Sequence, residues 1–394
     1  MSKEKRRVPK LRFPGFTEDW EQRKLSDIST KVTTKNIDVH YTETLTNSAE
    51  QGIISQVDFF DKEISNKDNI NGYYIVENND FIYNPRISTL APVGPINRNK
   101  LNRTGIMSPL YTVFRASNVD LDFLEWYFQS SHWHRYMKLN GDSGARADRI
   151  AIKDSTFFDM PIKTPVNIKE QVLIGETLEK FNQYITLHQR KLNNLKLKKK
   201  ALLQKLFPKN GERYPELRFP GFTDAWEQRK LDDIAKIKTG GGTPKTTNLE
   251  YWSGDIPWIQ SSDLVEGDVV HVNIKKFINN NALKNSAAKL ISRDSIALVT
   301  RVGVGKVAVI NQDFTTSQDF LSLSGFDGND IKFIAYQLFR LMQENAKVLQ
   351  GTSIKGITKT DLIEQSIAIP NSIKEQSLIA NILSQTDSII TLHQ

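Results

Sequence analysis

The stretch LRFPGFTEDWEQRKLSDI at residues 11–28 recurs almost unchanged as LRFPGFTDAWEQRKLDDI at residues 217–234. We call these two stretches the repeated phrase. Of its 18 aligned positions 15 are identical, and the exceptions are Glu18/Asp224, Asp19/Ala225 and Ser26/Asp232. A second stretch that ends in ITLHQ is also duplicated, at residues 168–189 and 373–394. The spacing is 206 residues for the phrase and 205 for the second stretch, so the whole chain is two copies of one frame.

Each copy of the frame encloses a block of different sequence, at about residues 29–160 and 235–365. In the second block, the β-branched runs Ile296–Thr300 and Lys306–Ile310 are joined by a glycine-containing turn, which predicts a hairpin. Phe81–Tyr83 occupies the corresponding place in the first block. We therefore expect each block to form a small domain with a twisted sheet.

Each block ends in an apolar segment of helical character, at residues 121–137 and 331–342. Helices added to strands predict an α/β (α+β) class for both domains. The blocks are followed by stretches that begin like helices, because Asn167 with Glu170 and Ser372 with Glu375 fit capping boxes.

The first of these helices carries a seam with a period of 3.5 residues. Eight of the ten seam positions are apolar, which is typical of a coiled coil, and a helix over residues 169–206 would be about 57 Å long. His188 and His393 stand at matching seam positions of the two helices, and a polar seam residue can set helix register. The ten positions are Ile174, Leu178, Phe181, Ile185, His188, Leu192, Leu195, Lys199, Leu202 and Leu206.

The second helix repeats the seam at Ile379, Leu383 and Ile390. The first helix continues after ITLHQ with RKLNNLKLKKKALLQKLF, and the second copy has no counterpart of that stretch. Either the sequence ends inside the helix or the second helix is short. We expect the two helices to pack antiparallel and to space two unlike domains at a fixed distance.

Composition limits the classes of protein that fit. The 394 residues suggest two or three domains, and 39% hydrophobic residues exclude a disordered chain. No apolar run approaches the roughly 20 residues that cross a bilayer, and the basic N-terminus has no apolar segment behind it, so we expect a cytoplasmic protein. Cysteine is absent, which excludes disulfides and thiolate metal sites. The net charge of +8 favours a polyanionic partner.

This arrangement resembles the specificity subunit of type I restriction-modification systems over essentially the whole chain. GGTPKTTNLEYWSGDIPWIQSSDL at residues 241–264 also resembles a frequent opening of target-recognition domains in that family. The resemblance implies a non-catalytic subunit that recognises a bipartite DNA target, one half per domain. It implies a first target-recognition domain at residues 11–165, a first spacer helix at 166–208, a second domain at 217–370 and a second, apparently truncated helix at 371–394.

The resemblance also implies partners. Two methyltransferase subunits and the restriction subunits would dock on the duplicated frame. A duplicated frame has two equivalent surfaces, which suits two identical partner subunits. S-adenosylmethionine, ATP and magnesium are then expected only on those partner subunits, with no cofactor and no metal on this chain.

Side chains that read DNA are expected on loops rich in arginine, lysine and small polar residues. The candidates of the first block are Arg86, Ser88, Arg98, Lys100, Arg103, Ser143, Arg146 and Arg149. The candidates of the second block are Thr243, Lys245, Ser261, Ser262, Arg301, Lys306, Ser353 and Lys355. The lysine-rich residues 190–205 are either a solvated helix face or a contact for DNA phosphates or an acidic partner.

Two alternatives to a DNA-specificity subunit stay open at this point. YNPRI at residues 83–87 resembles the Asn-Pro-Pro-aromatic loop of adenine methyltransferases, with Arg86 where the second proline should stand. No glycine-rich cofactor loop precedes it, so a self-contained methyltransferase or nuclease is the less favoured interpretation. A coiled-coil scaffold that binds nucleic acid without sequence preference is the other.

Two further features of the sequence carry predictions. Trp20 and Trp226, inside the repeated phrase, are predicted to be buried in the core of each domain. The glycine-rich Thr239–Pro244 is either a backbone contact for DNA or a plain surface loop.

Overall fold

A computed structural model describes residues 8–60, 67–142, 148–209, 211–350 and 356–393. The chain divides into two compact units, Met1–Thr186 and Leu187–Gln394. Candidates Ser143, Arg146, Ser353 and Lys355 lie outside the described residues.

Unit 1 is built on a four-stranded antiparallel sheet of order β2-β9-β6-β7, beside three two-stranded sheets, β1-β10, β3-β4 and β5-β8. Its strands are β1 (Glu21–Lys24), β2 (Ser29–Lys31), β3 (Leu45–Ser48), β4 (Gly52–Ser55), β5 (Tyr74–Val76), β6 (Phe81–Tyr83), β7 (Ile96–Arg98), β8 (Gly105–Met107), β9 (Thr112–Ala116) and β10 (Pro161–Thr164). Its helices are α1 (Gln56–Phe60), α2 (Leu121–Gln129), α3 (His134–Asn140), α4 (Asp154–Phe158) and the start of α5 (Ile168–Lys205).

The alternation of side chains along β6 divides the core of unit 1 into two layers. Phe81 and Tyr83 face an aromatic layer that also contains Phe157, whereas Ile82 faces a second apolar layer on the other side of the sheet. Tyr83 stacks on Phe157 with 5.0 Å between ring centroids. The loop that follows Tyr83 is therefore attached to a strand that is buried on both faces.

Unit 2 repeats this plan with a four-stranded sheet of order β12-β18-β15-β16, so β15 takes the place of β6. Its strands are β11 (Glu227–Lys230), β12 (Ile237–Gly240), β13 (Ile256–Ile259), β14 (Lys276–Ile278), β15 (Ser295–Val299), β16 (Val307–Ile310), β17 (Thr315–Thr316), β18 (Phe320–Ser324) and β19 (Ser366–Ile369). Its helices are α6 (Leu231–Ile234), α7 (Asn280–Lys284), α8 (Ile331–Gln350), α9 (Lys359–Ile363) and α10 (Ile373–Leu392).

The predicted hairpin and long helices are confirmed. β15 and β16 pair antiparallel with Leu298 opposite Val307, and α5 spans 38 residues. The apolar segment predicted at residues 121–137 is two helices rather than one, because α2 ends at Gln129 and α3 begins at His134.

The repeated phrase attaches each long helix to its own domain. Arg218 forms a bidentate ion pair with Glu375 near the start of α10, with nitrogen–oxygen distances of 2.7 and 2.9 Å, and Trp226 Nε1 donates to the same carboxylate at 3.3 Å. In unit 1 Arg12 and Trp20 bind Glu170 in the same way, at 2.7, 2.8 and 3.4 Å. We call these two contacts the Arg–Glu–Trp clamps.

The clamps correct the predicted capping boxes. The Glu170 and Glu375 side chains bind the arginines and tryptophans of the phrase. Ser372 Oγ still accepts a hydrogen bond from Glu375 N at 3.4 Å, so only the serine half of the predicted box forms at α10. The phrase continues into β1 and β11, which pair antiparallel with β10 and β19 just before each helix.

The coiled-coil seam forms inside unit 2. Lys199 Nζ binds Asp387 of α10 and His188 lies beside His393, with ring centroids 5.6 Å apart, which makes residues 187–205 and α10 antiparallel. Ile379, Leu383 and Ile390 are buried there.

The first half of α5 behaves differently along the same seam. Ile174 packs on the aromatic layer of unit 1, but Leu178, Phe181 and Ile185 are 38%, 59% and 57% exposed. Leu192 and Leu195 are half-buried. The predicted seam is therefore closed only along part of α5. Within the described part of the chain, no helix has the length and apolar character that a membrane span needs.

Candidate nucleic-acid interface

In unit 1 the loop Asn84–Arg86 leaves the end of β6 at one edge of the sheet. Asn84 Nδ2 donates to Asn47 O at 2.9 Å, and Asn84 Oδ1 accepts from Arg86 N at 3.0 Å. These bonds orient the loop. The Arg86 side chain is 69% exposed and lies 3.9 Å from Asp148.

Arg149 is the cross-strand neighbour of Arg86 through an isolated antiparallel bridge. Its Nε is buried and has no hydrogen-bond partner among the described residues. The two arginines border a cleft of about 270 Å³, so this edge presents two guanidinium groups beside amide and aromatic side chains. The cleft is also lined by Asn47, Ser88, Tyr111, Phe59 and Phe60.

Three other candidates of unit 1 lie elsewhere. Arg98 is opposite Phe81 in the sheet register, at the far end of β6 from Arg86. It is 8% exposed and bridges Asp122 and Glu125 of α2, which makes it a structural residue and corrects the expectation that it reads DNA.

Lys100 and Arg103 are also paired with acids. Lys100 pairs with Glu125 at 3.3 Å, and Arg103 forms a bidentate pair with Glu43 at 2.7 Å. The Arg103 guanidinium lowers the pKa of the Glu43 carboxyl through that hydrogen bond. Because Glu125 and Glu43 would compete with DNA for these two cations, both residues are weaker candidates than Arg86.

Unit 2 presents the corresponding edge where β15 ends. Arg301 is exposed and follows Val299 by two residues, much as Arg86 follows Tyr83 by three. The turn after Arg301 lies against Ser261, since a Cβ placed on Gly303 would be 2.5 Å from Ser261 Oγ. Gly303 has a φ of +89°, which favours glycine. Arg301, Ser261 and the exposed Ser262 therefore belong to one surface.

Lys306 and the glycine-rich loop have structural roles. Lys306 Nζ donates to the carbonyl oxygens of Ser261 and Leu264 at 3.0 and 3.1 Å, which corrects its assignment as a DNA contact. A Cβ on Gly241 would lie 1.9 Å from Ser317 O, so that glycine is required by packing within the unit. Thr243 Oγ1 donates to Gln318 at 2.7 Å, and Lys245 is exposed.

Sequence reasoning missed two residues of this surface, Gln260 and Lys276. Lys276 Nζ lies 5.4 Å from the Trp258 ring and 3.4 Å from Gln260 Oε1. The signal was present in the alternation of aromatic and polar residues in YWSGDIPWIQSS at 251–262. No cluster of three or more His, Cys, Asp or Glu side chains suited to a metal occurs in the described ranges.

Comparisons with known proteins identify the family of this chain. The family model described as "Type I restriction modification DNA specificity domain" matches residues 17–197 and again residues 223–394. A type I restriction enzyme MjaIX specificity subunit from Methanocaldococcus jannaschii is 34% identical over 172 residues, which are 42% of this chain and 38% of that protein. The EcoR124I/EcoR124II specificity subunit from Escherichia coli is 31% identical over 170 residues, or 41% of each protein.

These matches span about two-fifths of the length of both relatives. Among solved structures, the S subunit of a type I restriction-modification system from M. genitalium has a TM-score of 0.61 at 12% identity. That alignment covers 98% of this chain and 94% of the other, and it shows a shared fold. Because the family model covers both copies of the frame, this chain belongs to the type I restriction-modification DNA specificity family.

Proposed function

We propose that this protein is the non-catalytic specificity subunit of a type I restriction-modification complex. Unit 1 reads one half of a split DNA target and unit 2 reads the other half. The DNA itself is methylated at adenine, or cleaved when unmodified, by partner subunits that carry S-adenosylmethionine, ATP and magnesium. Such a role on cellular DNA would be carried out in the cytoplasm.

The observation that carries the proposal is the matched position of Arg86 and Arg301. Each follows the equivalent strand of the same four-stranded sheet, and each is exposed. Their surroundings differ, since Arg86 has Arg149 and a cleft beside it, whereas the turn after Arg301 lies against Ser261. Arginine is the commonest reader of guanine in the major groove, so two equivalent arginines in different surroundings suit two different half-sites.

The experiment is a selection from a random DNA pool by the full chain assembled with its methyltransferase subunits. We expect a split motif with a fixed gap. A selection that yields no motif at any salt concentration would contradict the proposal, because sequence-blind binding depends only on phosphate contacts and salt.

Substituting the matched arginines tests the assignment of half-sites. Arg86→Ala should weaken discrimination in one half of the motif and Arg301→Ala in the other, each by about 1–3 kcal/mol. Arg103→Ala is the matched control, because that side chain is bound to Glu43. A change in both halves from a single substitution would show that the units do not read independently.

The proposed partners are two methyltransferase subunits and the restriction subunits. Support comes from positions of the repeated phrase that are identical in both units and exposed, although the clamps do not use them, such as Pro14/Pro220 and Thr17/Thr223. Native mass spectrometry of the assembled complex tests this directly. Two methyltransferase subunits per chain are expected. A single subunit would contradict the proposal that each copy of the repeated phrase docks one methyltransferase subunit.

A further inference from the structure

Lys276 is an exposed lysine that unit 2 holds in a defined place. It begins β14 opposite Trp258 of β13, and its Nζ lies 5.4 Å from the Trp258 ring centroid and 5.7 Å from that of Trp252. The two indoles meet edge to face, with centroids 5.0 Å apart. Cation–π contact with two rings restrains a side chain that otherwise has large rotational freedom.

The tryptophans are themselves anchored. Trp258 is 4% exposed and donates from Nε1 to Gly242 O at 3.0 Å, while Trp252 Nε1 donates to Lys245 O at 3.4 Å. The platform under Lys276 is therefore tied to the loop that carries Thr243 and Lys245. Rigid support of this kind lowers the entropy lost when a side chain binds a ligand.

Gln260 stands beside Lys276 and is also oriented. Its Oε1 accepts from Lys276 Nζ at 3.4 Å, and its Nε2 donates to Ser262 Oγ at 3.0 Å. Each side chain keeps further hydrogen-bonding capacity, since an ammonium has three donors and an amide has two donors and one acceptor with two lone pairs. Among the described residues, no carboxylate lies within the 4.0 Å ion-pair distance of Lys276 Nζ.

A cation beside a neutral amide offers two contacts that base edges accept. Phosphate contacts position a protein on DNA without reading its sequence, whereas lysine donates to guanine O6 and N7 and glutamine binds adenine N6 and N7. Because Lys276 Nζ and Gln260 Oε1 are 3.4 Å apart, the two side chains would meet bases that lie close together in the target. Ser261, which touches the Arg301 turn, joins this pair to the surface already described.

We propose that Lys276 and Gln260 are specificity-determining residues of unit 2, which read a guanine and an adenine on neighbouring base pairs of one half-site. Ser262 and the two tryptophans position them. This inference rests on the proposed DNA-specificity function and deepens it, because it assigns base identities to named side chains.

The test is a random-pool selection with the assembled complex, run on the wild type and on Lys276→Ala, Gln260→Ala and Lys275→Ala. Lys275 is the matched control, because it is exposed and adjacent but has no contact with the tryptophan platform in the described structure. We expect Lys276→Ala to lose roughly 10-fold discrimination at one guanine of a single half-site. Gln260→Ala should relax the neighbouring adenine, and Lys275→Ala should leave the motif unchanged.

Three outcomes would overturn the inference. Lys276→Ala could weaken binding to all sequences equally and reduce the salt slope by about one, which is the signature of a phosphate contact. The motif could also stay unchanged in both variants, or Lys276→Ala could relax an A·T pair and Gln260→Ala a G·C pair. If the wild type selects a split motif in any of these cases, only this inference fails. If the wild type selects none, the proposed function fails with it. A variant whose thermal unfolding midpoint equals that of the wild type is still folded, so its lost base preference does not come from unfolding.

Discussion

Lys199→Met should lower the free energy of unfolding of unit 2 by about 3–5 kcal/mol, because it leaves a buried carboxylate without its cation. Lys199 and Asp387 have side chains that are 7% and 1% exposed, and Tyr336 OH donates to the other oxygen of Asp387 at 2.7 Å. Lys199 also lies 5.6 and 5.5 Å from the rings of Tyr336 and Phe339. Denaturant unfolding followed by circular dichroism measures the loss.

The same variant should respond to pH in a defined direction. Burial already raises the pKa of Asp387, and the charge and hydrogen bond of Lys199 oppose that rise. Without Lys199 the folded-state pKa of Asp387 rises further above its unfolded value. The folded variant then binds the proton more tightly, so its stability deficit should grow as pH rises through the folded-state pKa and shrink as pH falls towards the unfolded-state value of about 3.9.

A double variant separates the ion pair from its packing. Lys199→Met with Asp387→Leu removes both charges, and replacing a buried pair by apolar side chains is often neutral or stabilising. We expect most of the lost stability to return and the pH response to disappear. Equal instability of the single and double variants would contradict the assignment, because the loss would then come from packing alone.

Glu375→Ala is the second change with a large expected effect, again about 3–5 kcal/mol. The carboxylate is 1% exposed and accepts three hydrogen bonds, two from Arg218 and one from Trp226. Its removal leaves a guanidinium that is 14% exposed and a buried indole N–H without their acceptor. The attachment of α10 to its domain should weaken, and denaturant unfolding measures the decrease.

The duplication supplies controls for this prediction. Glu170→Ala should produce a similar loss in unit 1, because the same clamp forms there. Lys374→Ala changes the exposed neighbour on α10 and should leave stability within about 0.5 kcal/mol of the wild type. A small effect of Glu375→Ala, comparable to that of Lys374→Ala, would show that the clamp does not hold the helix.

The regular elements could be predicted because their signals are local. The 3.5-residue seam located α5, and the β-branched runs on either side of residues 301–305 located the hairpin of β15 and β16. The corresponding places of β6 and β15 followed from the internal repeat. Local periodicity and duplication carry such information without any long-range contact.

The candidate site was only partly predictable, because the role of a charged side chain depends on its neighbours in space. Arg98 and Arg86 look equivalent in the sequence, yet the sheet register places Arg98 opposite Phe81 and beside the acids of α2. Lys306 looks like a surface lysine, yet two carbonyl oxygens bind it. Lys276 carried no motif of its own and became a candidate only when two tryptophans were found beneath it.

The sequence by itself determined the duplicated frame, the long helices and the two unlike domains, since repetition and hydrophobic period are properties of the order of residues. Only the tertiary structure decided what the repeated phrase does. Arg218 and Glu375 are 157 residues apart, and no local pattern shows that they meet in a buried ion pair. The same holds for every cation of the interface, because burial and the nearest carboxylate decide whether its charge is neutralised within the fold or left available for DNA.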